Sequence, residues 1–480
     1  WRRSMPATAT PAADWLTNGG ALDNQRFSSL TQITRENVQK LKVAWHVHLR
    51  SGNDDLHTAE ATPLVHDGVM YVSTGAGDVF ALDAANGGRI WSYFAKLDPK
   101  INTVGWHNRG VAIGQGRVFV AEIDGTLRAL DQRTGKLLWS RQNLDWRKGS
   151  GMTSAPLYFG GRVYVGSTGG EFMVRGSLTA YDTEGKRLWR FWTVPAPGET
   201  GSGTWSPGPF GWQTGGGPIW NTPAVDVEQN LLIFATGNPA PWGGRGPGDN
   251  LFTSSVVAID ATSGALRWWY QMVHHDMWDY DCANAPILFD GPVAGSERKA
   301  VAVTCKTGWL YLLDRTTGKP LLPIPEVRVP ATPGIPSSPT QPQPVGDRIT
   351  DLACAKADSY PKTPNGPPTQ VGCTFAPVRA DRAVAFAPSM MGGINWHPSS
   401  YNPATHLFYA CGVNSDVAMK AIPIPVAAGG KLDPTTRPLG EGVYGIHFYD
   451  GVVAGMDVRT NRRAWKVSWP HACWSGTFTT

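Results

Sequence analysis

The sequence predicts an all-β fold organised as a β-propeller, and two observations support this prediction. The first is a phrase that recurs along the chain: an alternating apolar run ends on Asp, a Gly follows at a turn, and a second run ends on an aromatic residue. Such a phrase outlines a β-hairpin, and its recurrence at intervals of about 40 to 50 residues is typical of propeller blades. The second is the composition: 480 residues include 56 Gly, 38 Pro and 21 Trp, which supply many turns and many aromatic rings to pack between blades.

Each copy of the phrase is predicted to be one hairpin of a blade. The copies run from Gly77 to Trp91, from Gly125 to Trp139, from Gly176 to Trp189, from Ser255 to Trp268, from Gly308 to Pro320 and from Gly451 to Trp465. Because a propeller grows by adding blades, residues 1–480 are predicted to form a single domain, although the length alone would suggest about three.

The segments outside the repeats are assigned in chain order. Residues 14–47 form an entry segment, with a short helix predicted from Thr34 to Leu41, where a capping Thr precedes residues at helical spacing. Two long loops interrupt the repeats: Pro195 to Gly217, and a Pro-rich insertion between blades, residues 323–377. Long loops are more often functional than idle, so both are candidates to shape an entrance on one rim, with solvated decoration as the alternative for the insertion.

Several classes of protein are disfavoured. The net charge of +5 comes with no stripe of Lys and Arg, which argues against a nucleic-acid partner, and no apolar run is long enough for a transmembrane segment. The chain begins at Trp1 with no secretory leader, so a leader has been removed or sequence is missing. The strand-like end from Gly476 to Thr480 predicts missing C-terminal sequence and an incomplete last blade.

The cysteines bound the cofactor chemistry. None of the six lies in a Cys-x-x-Cys or Cys-x-x-Cys-His pattern, which excludes a covalent c-type haem within these residues and disfavours a four-cysteine zinc site. Cys354 and Cys373 flank a Pro-rich loop and are the best candidates for a disulfide, which would suit an oxidising periplasm. Two free buried thiols are the alternative, because spacing does not give pairing.

The segment from His274 to Asp281, His-His-Asp-Met-Trp-Asp-Tyr-Asp, carries three acids and two histidines in eight residues, directly after the fourth repeat. If its backbone is extended, Asp279 and Asp281 point the same way and offer two oxygens to one site. Such a pair binds a hard cation or shares a proton. A polar turn with capping acids is the alternative.

Two further oxygen donors lie in turns of other blades. Glu171 is the acid of a Gly-rich turn, and Asn238 lies in a rigid Asn-Pro-Ala-Pro turn after an apolar strand from Leu231 to Ala235. Hard cations prefer carboxylate and amide oxygens, so these residues join the acidic segment as candidate ligands.

The chain resembles the pyrroloquinoline quinone (PQQ) dependent alcohol dehydrogenases, the quinoprotein methanol and ethanol dehydrogenase family of eight-bladed propellers, from about Asp14 to Thr480. The motifs that carry the resemblance are Gly-Gly-Glu-x-x-x-Arg-Gly, Gly-Asn-Pro-Ala-Pro-Trp, Trp-Asp-Tyr-Asp and Gly-Gly-Gly-Pro-Ile-Trp. By these motifs Glu171 and Asn238 correspond to metal ligands, Asp279 to the general base and a further ligand, and Trp220 to the ring on which the cofactor stacks.

The resemblance also implies the remaining contacts to PQQ. They fall on Glu60, Arg109, Thr153, Thr168, Gly169, Gly170, Lys306, Asn395 and Trp474. A flat tricarboxylate needs cations and hydroxyl donors at its edge and an aromatic face beneath it, so these residue types suit it. The family's pair of adjacent cysteines is absent near residue 107, which leaves His107 or Trp106 as the roof.

The ion is expected to be calcium or a lanthanide. Asp281 occupies the place of an extra carboxylate in lanthanide-using members of the family, and a trivalent ion has more charge to neutralise. The same aspartate also occurs in motifs that resemble those of the quinoprotein sugar dehydrogenases, where it does not imply a lanthanide.

The predicted function is PQQ-dependent oxidation of an alcohol to an aldehyde or ketone. In this reaction Asp279 removes the hydroxyl proton, hydride moves to the quinone, and electrons pass to a separate acceptor such as cytochrome c. A periplasmic or secreted location is expected. The alternatives are a quinoprotein sugar or polyol dehydrogenase and a non-catalytic propeller scaffold, although a scaffold has no reason to keep buried acids together.

Overall fold

The computed structural model describes residues 14–480 except 54–55, 103, 209, 332–333, 361–367 and 425–439. The predicted all-β propeller is confirmed, because the strands form successive antiparallel sheets. In the described part of the chain, helical structure is limited to 3-10 turns of three residues each: Val38–Lys40, Trp146–Lys148, Gly170–Phe172, Ser202–Thr204 and Ala357–Ser359.

Four sheets of four strands follow the entry segment, and in each the strands pair in sequence order. The first contains β1 (Leu64–His66), β2 (Val69–Ser73), β3 (Val79–Asp83) and β4 (Arg89–Tyr93), and the second contains β5 (Val111–Gly114), β6 (Arg117–Ala121), β7 (Thr126–Asp131) and β8 (Leu137–Gln142). The third contains β9 (Leu157–Phe159), β10 (Arg162–Gly166), β11 (Ser177–Asp182) and β12 (Arg187–Trp192), and the fourth contains β13 (Ala224–Asp226), β14 (Leu231–Ala235), β15 (Ser255–Asp260) and β16 (Leu266–Gln271). Each sheet is therefore one blade.

The remaining strands are less regular. A three-stranded sheet contains β17 (Ile287–Val293), β18 (Ser296–Thr304) and β19 (Leu310–Asp314), and a two-stranded ribbon contains β20 (Glu326–Arg328) and β21 (Thr340–Pro342). The last sheet contains β22 (Gln370–Val371), β23 (Val384–Phe386), β24 (Ser400–Asn402), β25 (Leu407–Ala421), β26 (Glu441–Asp457) and β27 (Arg462–Trp469).

The recurring phrase forms the turn between the third and fourth strands of a blade. In the first blade Asp83 ends β3, and its carboxylate accepts hydrogen bonds from the backbone N–H groups of Ala85 and Asn86 at 2.8 and 3.3 Å. Equivalent bonds are made by the aspartates at 131, 182, 260 and 314. The aspartate is selected because it satisfies turn donors that the strands leave open.

The glycine of the phrase is explained by the tryptophan of the preceding blade. The Trp91 ring lies against Gly135, where a Cβ would come within 2.5 Å of the ring, and its Nε1 donates to the Gln132 carbonyl at 3.0 Å. The same docking joins Trp45 to Ala84 and Gly87, Trp139 to Thr183 and Gly185, and Trp268 to Arg315 and Gly318. Glycine is required because φ is positive and the indole occupies the place of a side chain.

Replacement of Trp91 by alanine is expected to reduce the free energy of unfolding by about 3–5 kcal/mol, because the ring is 8% exposed and its removal leaves a cavity between blades. Trp465, which is 40% exposed, is the matched control and should lose clearly less. Urea denaturation of the two variants measures the difference, and equal losses would contradict this role for inter-blade docking.

The predicted helix from Thr34 to Leu41 is wrong. Only Val38–Lys40 forms a 3-10 turn. The Asn37 side chain accepts from the Thr34 N–H at 2.7 Å and donates to the Gln32 carbonyl at 2.7 Å, so it competes with helical backbone bonds. Val38 and Leu41 are exposed, so no packing stabilises so short a helix.

All six cysteines lie in disulfides: Cys282–Cys305, Cys354–Cys373 and Cys411–Cys473. The predicted pair is confirmed, and the other two pairs were not predicted. Cys282 and Cys305 come from a loop and from the end of a strand, and only the fold brings them together.

The Pro-rich insertion is anchored where it is described. The buried Asp416 on β25 accepts from the Lys356 N–H at 2.9 Å and from the Tyr360 hydroxyl at 2.7 Å. The residues from Gly476 to Thr480 form no strand, contrary to expectation, and Thr479 makes one isolated parallel bridge to Phe27. Within the described ranges, no helix has the length and apolarity needed to cross a bilayer.

Candidate active site

Two aspartates and a lysine form the centre of the candidate site. The Lys306 Nζ lies 2.6 Å from Asp281 Oδ2 and 3.1 Å from Asp279 Oδ2, and all three side chains are at most 6% exposed. Lys306 follows the end of β18, and the aspartates lie in the irregular segment between β16 and β17. The cluster therefore joins the segment from His274 to Asp281 to a strand end that carries the lysine predicted to contact the cofactor.

Asn238 joins this cluster through its backbone. Its N–H donates to Asp281 Oδ1 at 2.7 Å, and its side-chain Nδ2 donates to the Pro239 carbonyl at 2.9 Å. Asn238 Oδ1 and Asp279 Oδ1 are both buried without a hydrogen-bond partner among the described residues. Burying an oxygen without a hydrogen-bond partner costs free energy. Because these two oxygens belong to loops that contact each other, they are candidate ligands of a cation or acceptors for a further donor.

Glycines allow the turns that carry Asn238 and Glu171 to approach each other. A Cβ on Gly237 would lie 2.5 Å from Asp281 Oδ1, and one on Gly170 would lie 3.1 Å from Pro218 and 3.9 Å from Asn238 Oδ1. Glu171 lies on the 3-10 turn Gly170–Phe172. The predicted apolar strand before Asn238 is β14, with the predicted bounds.

The condition of an extended backbone at the aspartates is not met. Asp279 has φ of 59°, in the left-handed region, so alternation along a strand does not align it with Asp281. The two carboxylates meet because both accept from Lys306. They converge on Lys306 rather than through alternation along a strand.

Electrostatics of the cluster follow from burial and mutual charge. Burial raises the pKa of Asp279 well above its usual value, the Lys306 charge opposes this, and the neighbouring Asp281 and Glu171 add to the rise. Burial alone would lower the pKa of Lys306, but the charges of Asp279 and Asp281 outweigh it and raise that pKa. Lys306 is therefore positively charged, and a second cation near the carboxylates would interact favourably with them.

The first half of the acidic segment is structural. The buried Asp276 accepts from the backbone N–H groups of Trp278 and Tyr280 at 2.9 and 2.8 Å and from the Ser254 hydroxyl at 3.0 Å. His275 is buried, and desolvation lowers its pKa to about 3. The alternative of a polar turn with capping acids is thus correct for Asp276, and it does not describe Asp279 or Asp281.

A second group of predicted residues surrounds Arg109. Its guanidinium lies 5.1 Å from the Trp220 ring centroid and 4.5 Å from that of Trp396. The Arg109 Nη2 lies 2.7 Å from Glu60 Oε2, and its Nη1 donates to the Thr153 hydroxyl at 2.9 Å. A buried cation between two indole faces is a ready contact for an anionic flat ligand.

Glu60 is held by two donors besides Arg109. His107 Nδ1 lies 3.0 Å from Glu60 Oε1, and the Thr58 hydroxyl donates to the same oxygen at 3.1 Å. Burial would raise the pKa of Glu60, but the hydrogen bond from His107 and the charge of Arg109 outweigh it and lower the pKa to about 2. Glu60 is therefore ionised at neutral pH and fixes the position of Arg109.

Replacement of Glu60 by glutamine is expected to destabilise the fold in a pH-dependent way. Because the pKa of Glu60 is lowered from 4.5 to about 2, its ionisation stabilises the fold above pH 4.5, and this contribution is lost as pH falls towards 2. A difference of one in pKa corresponds to about 1.4 kcal/mol, so the loss at pH 7 is of order 3 kcal/mol.

Chemical denaturation of the Glu60→Gln variant at pH 7 and pH 3 measures this effect. The difference in free energy of unfolding between the variant and the unchanged protein should be smaller at pH 3 than at pH 7. The exposed Glu297 provides the control, since Glu297→Gln should be neutral at both values. A gap that is the same at both values would refute the lowered pKa.

Two contacts connect the Arg109 group with the carboxylates. Pro218, two residues before Trp220, accepts the Gly237 N–H at 2.8 Å through its carbonyl. Asn284, three residues after Asp281, donates from Nδ2 to the Asn395 and His397 carbonyls at 3.2 and 2.7 Å. Segments that adjoin the two groups are therefore in direct contact.

The other predicted contacts lie around these groups. Thr168 is buried and pairs with Gly151, Gly169 packs on the Gly149 carbonyl, and Asn395 adjoins Trp396. Trp474 is 43% exposed, with its ring 5.3 Å from that of His397.

Sequence reasoning missed Trp396, which lies beside Arg109, and His397, whose ring centroid is 4.1 Å from that of Trp396 in a tilted arrangement. Both residues follow Asn395 directly. The Asn-Trp-His triplet at residues 395–397 was therefore the available signal.

A family model described as "PQQ: Glucose/ethanol/alcohol dehydrogenase, beta-propeller domain" matches residues 15–476. The quinohemoprotein alcohol dehydrogenase ADH IIB of Pseudomonas putida is 34% identical, over 99% of this chain and 67% of the relative. The quinohemoprotein alcohol dehydrogenase of Comamonas testosteroni is 37% identical, over 84% of this chain and 55% of the relative. The quinoprotein alcohol dehydrogenase PedH of Pseudomonas putida is 33% identical, over 97% of this chain and 76% of the relative.

Solved structures give the same result. The crystal structure of the Comamonas testosteroni quinohemoprotein alcohol dehydrogenase superposes with a TM-score of 0.79 at 31% identity, over 99% of this chain and 69% of that one. A europium-containing methanol dehydrogenase gives a TM-score of 0.79 at 27% identity, over 97% of this chain and 80% of that one. The chain thus spans between about half and four fifths of the length of the relatives it matches.

Proposed function

Because the chain belongs to the PQQ-dependent glucose, ethanol and alcohol dehydrogenase family of β-propellers, we propose that it oxidises an alcohol to an aldehyde or ketone with PQQ and one metal ion. The observation that carries this proposal is the convergence of Asn238, Asp279 and Lys306 in one buried cluster. The assignment of residues 1–480 to a single domain stays a prediction.

The residues present fit a hard cation. Asn238 Oδ1 and Asp279 Oδ1 are buried and have no hydrogen-bond partner in the described part of the chain, and Glu171 acts on Asp279 electrostatically. Amide and carboxylate oxygens are the donors that calcium and the lanthanides prefer. We propose that Glu171, Asn238 and Asp279 hold the ion.

Asp281 is a conditional fourth ligand. Its Oδ1 accepts from the Asn238 N–H and its Oδ2 from Lys306, so ligation requires that one of these bonds be given up. A trivalent ion repays this loss better than a divalent one, because its attraction for a carboxylate is larger. We therefore propose that Asp281 orders the ligands when calcium is bound and joins them when a lanthanide is bound.

The Arg109 group fits a flat polyanion. Arg109 and Lys306 supply positive charge, Thr153 supplies a hydroxyl, and Trp220 supplies an aromatic face. We propose that these residues bind PQQ, together with Glu60, Thr168, Gly169, Gly170, Asn395 and Trp474, and that His107 is the roof.

When bound, PQQ supplies an electrophilic quinone that accepts hydride, with the ion acting as a Lewis acid on its carbonyl. Asp279 is the proposed general base that takes the hydroxyl proton of the alcohol. The Lys306 ammonium, 3.1 Å from Asp279, opposes the rise that burial causes in the pKa of that carboxylate. Asp281 and Asn238 fix the base and the lysine relative to the ion.

A separate electron acceptor, such as a cytochrome c, is proposed to reoxidise the reduced cofactor. Residues 1–480 contain no Cys-x-x-Cys-His haem attachment motif, and all six cysteines are in disulfides. Three disulfides favour an oxidising compartment, so a periplasmic or secreted location is proposed.

A sugar or polyol is the alternative substrate. The His-His-Asp-x-Trp-Asp-x-Asp motif and Lys306 favour a sugar or polyol substrate, and the description of the matching family includes glucose. The same site would perform the same proton removal on a secondary hydroxyl.

Reconstitution of the purified protein with PQQ and either calcium or a light lanthanide tests the proposal. Dye-linked oxidation of a panel of primary alcohols, secondary alcohols and sugars is then measured. Turnover with at least one metal is expected. If the protein shows no turnover with either metal, the enzyme proposal fails and a scaffold is favoured. If it turns over with calcium but not with the lanthanide, the special role of Asp281 fails.

A further inference from the structure

The disulfide Cys282–Cys305 lies directly beside the buried carboxylates and lysine. Cys282 follows Asp281 in the chain, Cys305 precedes Lys306, and both cysteines are fully buried. The bridge therefore joins the two backbone segments whose side chains form the ion pairs of 2.6 and 3.1 Å.

Neither segment lies within a sheet, and the stretch that carries the aspartates is held by core packing of Trp278 and Tyr280, whose side chains donate to the Ala376 and Pro388 carbonyls. β16 ends at Gln271 and β17 begins at Ile287, so residues 272–286, which carry both aspartates, lie outside the sheets. Lys306 lies two residues beyond the end of β18. Close to the ion pairs, the backbone hydrogen bonds include Lys306 N–H to the Asp281 carbonyl at 3.1 Å, Cys282 N–H to the Thr236 carbonyl at 3.3 Å and Gly308 N–H to the Cys305 carbonyl at 3.0 Å.

Mutual repulsion opposes this arrangement. The carboxyl groups of Asp281 and Glu171 lie close enough to Asp279 to disfavour its charged form, and Lys306 is the cation that Asp279 and Asp281 share. A segment outside a sheet would relax to separate such charges, since separation in a buried site gains electrostatic energy. A covalent link next to Asp281 and Lys306 prevents the relaxation.

We propose that Cys282–Cys305 is a positioning cross-link, which holds Asp279 and Asp281 against Lys306 and thereby sets the affinity for the ion and the rate of turnover. The inference rests on the proposed function, since it assigns the cross-link to that site. Mutation of a group that holds metal ligands in place typically lowers metal affinity or activity by about 10–100-fold, and we expect an effect of this size when the bridge is removed.

Cys354–Cys373 provides the matched control. It is also a short-range bridge, with a sequence separation of 19 against 23 for Cys282–Cys305, but it is exposed and lies in the Pro-rich insertion. Its removal should affect overall stability without moving a residue of the candidate site.

The test compares the double variants C282A/C305A and C354A/C373A with the unchanged protein. Loss of each bridge is verified by mass spectrometry. Calcium and lanthanum binding are measured by calorimetry in the presence and absence of PQQ, and kcat and KM are measured on one alcohol at saturating ion. C282A/C305A is expected to bind the ion about 10–100-fold more weakly and to lose about as much in kcat with KM little changed. The control should keep affinity and kcat within about twofold.

Each outcome decides the question. Wild-type ion affinity and kcat in a folded C282A/C305A variant would overturn the inference, and so would equal losses in the control. If C282A/C305A does not fold, C282V/C305A, which refills the volume, is measured instead, and its failure to fold would assign the bridge to folding and also overturn the inference. If the unchanged protein binds neither ion nor PQQ, the proposed function itself fails, which separates the two failures.

Discussion

Replacement of Asp279 by asparagine is expected to lower kcat by about 10²- to 10⁴-fold, the contribution of a positioned general base. Asparagine keeps an oxygen at the position of the ligand atom but cannot take a proton. The variant should therefore retain PQQ, as measured by its absorbance after gel filtration, and lose turnover in the dye-linked assay. Asp279 is 4% exposed and ion-paired to Lys306 at 3.1 Å, so water does not easily replace it as the base.

The control for this experiment is Asp358→Asn, at an exposed residue of the Pro-rich insertion, which should leave kcat unchanged. Normal turnover in Asp279→Asn would show that the base has been assigned to the wrong residue. Loss of PQQ together with turnover would restrict Asp279 to a role in binding.

Replacement of Asn238 by alanine is expected to weaken ion binding by at least about 100-fold. The effect should reach the upper end of that known for outer-shell partners, because Asn238 Oδ1 is a proposed direct ligand. Asn238 is 1% exposed and its Oδ1 has no partner among the described residues. Calorimetric titration of calcium and lanthanum into the PQQ-loaded protein measures the change.

Asn238→Asp is the matched variant, because it keeps a ligand oxygen and adds a negative charge. It should bind lanthanum at least as tightly as the unchanged protein, since a trivalent ion gains most from an added carboxylate. Equal ion affinity in Asn238→Ala and the unchanged protein would remove Asn238 from the ligand set.

The fold was predictable because each blade repeats the same physical requirements. Asp83 and its counterparts accept turn N–H groups, and Gly135 and its counterparts admit the indole of the preceding blade. These requirements are local and recur in the copies, with Asn461, which also has a positive φ, in place of the glycine in the last one. They can therefore be recognised in the sequence. The helix near Thr34 was predicted from local spacing alone, and it fails because its apolar residues have nothing to pack against.

Motifs in the sequence indicate Glu171, Asn238 and Lys306 as candidates, and Asn238 and Lys306 both contact the buried Asp281. The candidate site was less predictable where contacts depend on distant segments. The meeting of Asp279 and Asp281 follows from the shared Lys306 and from a left-handed residue, which alternation along a strand does not reveal. The Cys282–Cys305 bridge and the Trp396 face over Arg109 likewise arise from segments that only the fold brings together.

Anomalous scattering from a lanthanide in crystals of the protein reconstituted with PQQ tests the central claim most directly. The account predicts a peak about 2.3–2.6 Å from oxygens of Glu171, Asn238 and Asp279, adjacent to the Trp220 ring. A peak confined to other acidic groups, such as the partly exposed trio Asp14, His66 and Asp67, with none at Asn238, would contradict it.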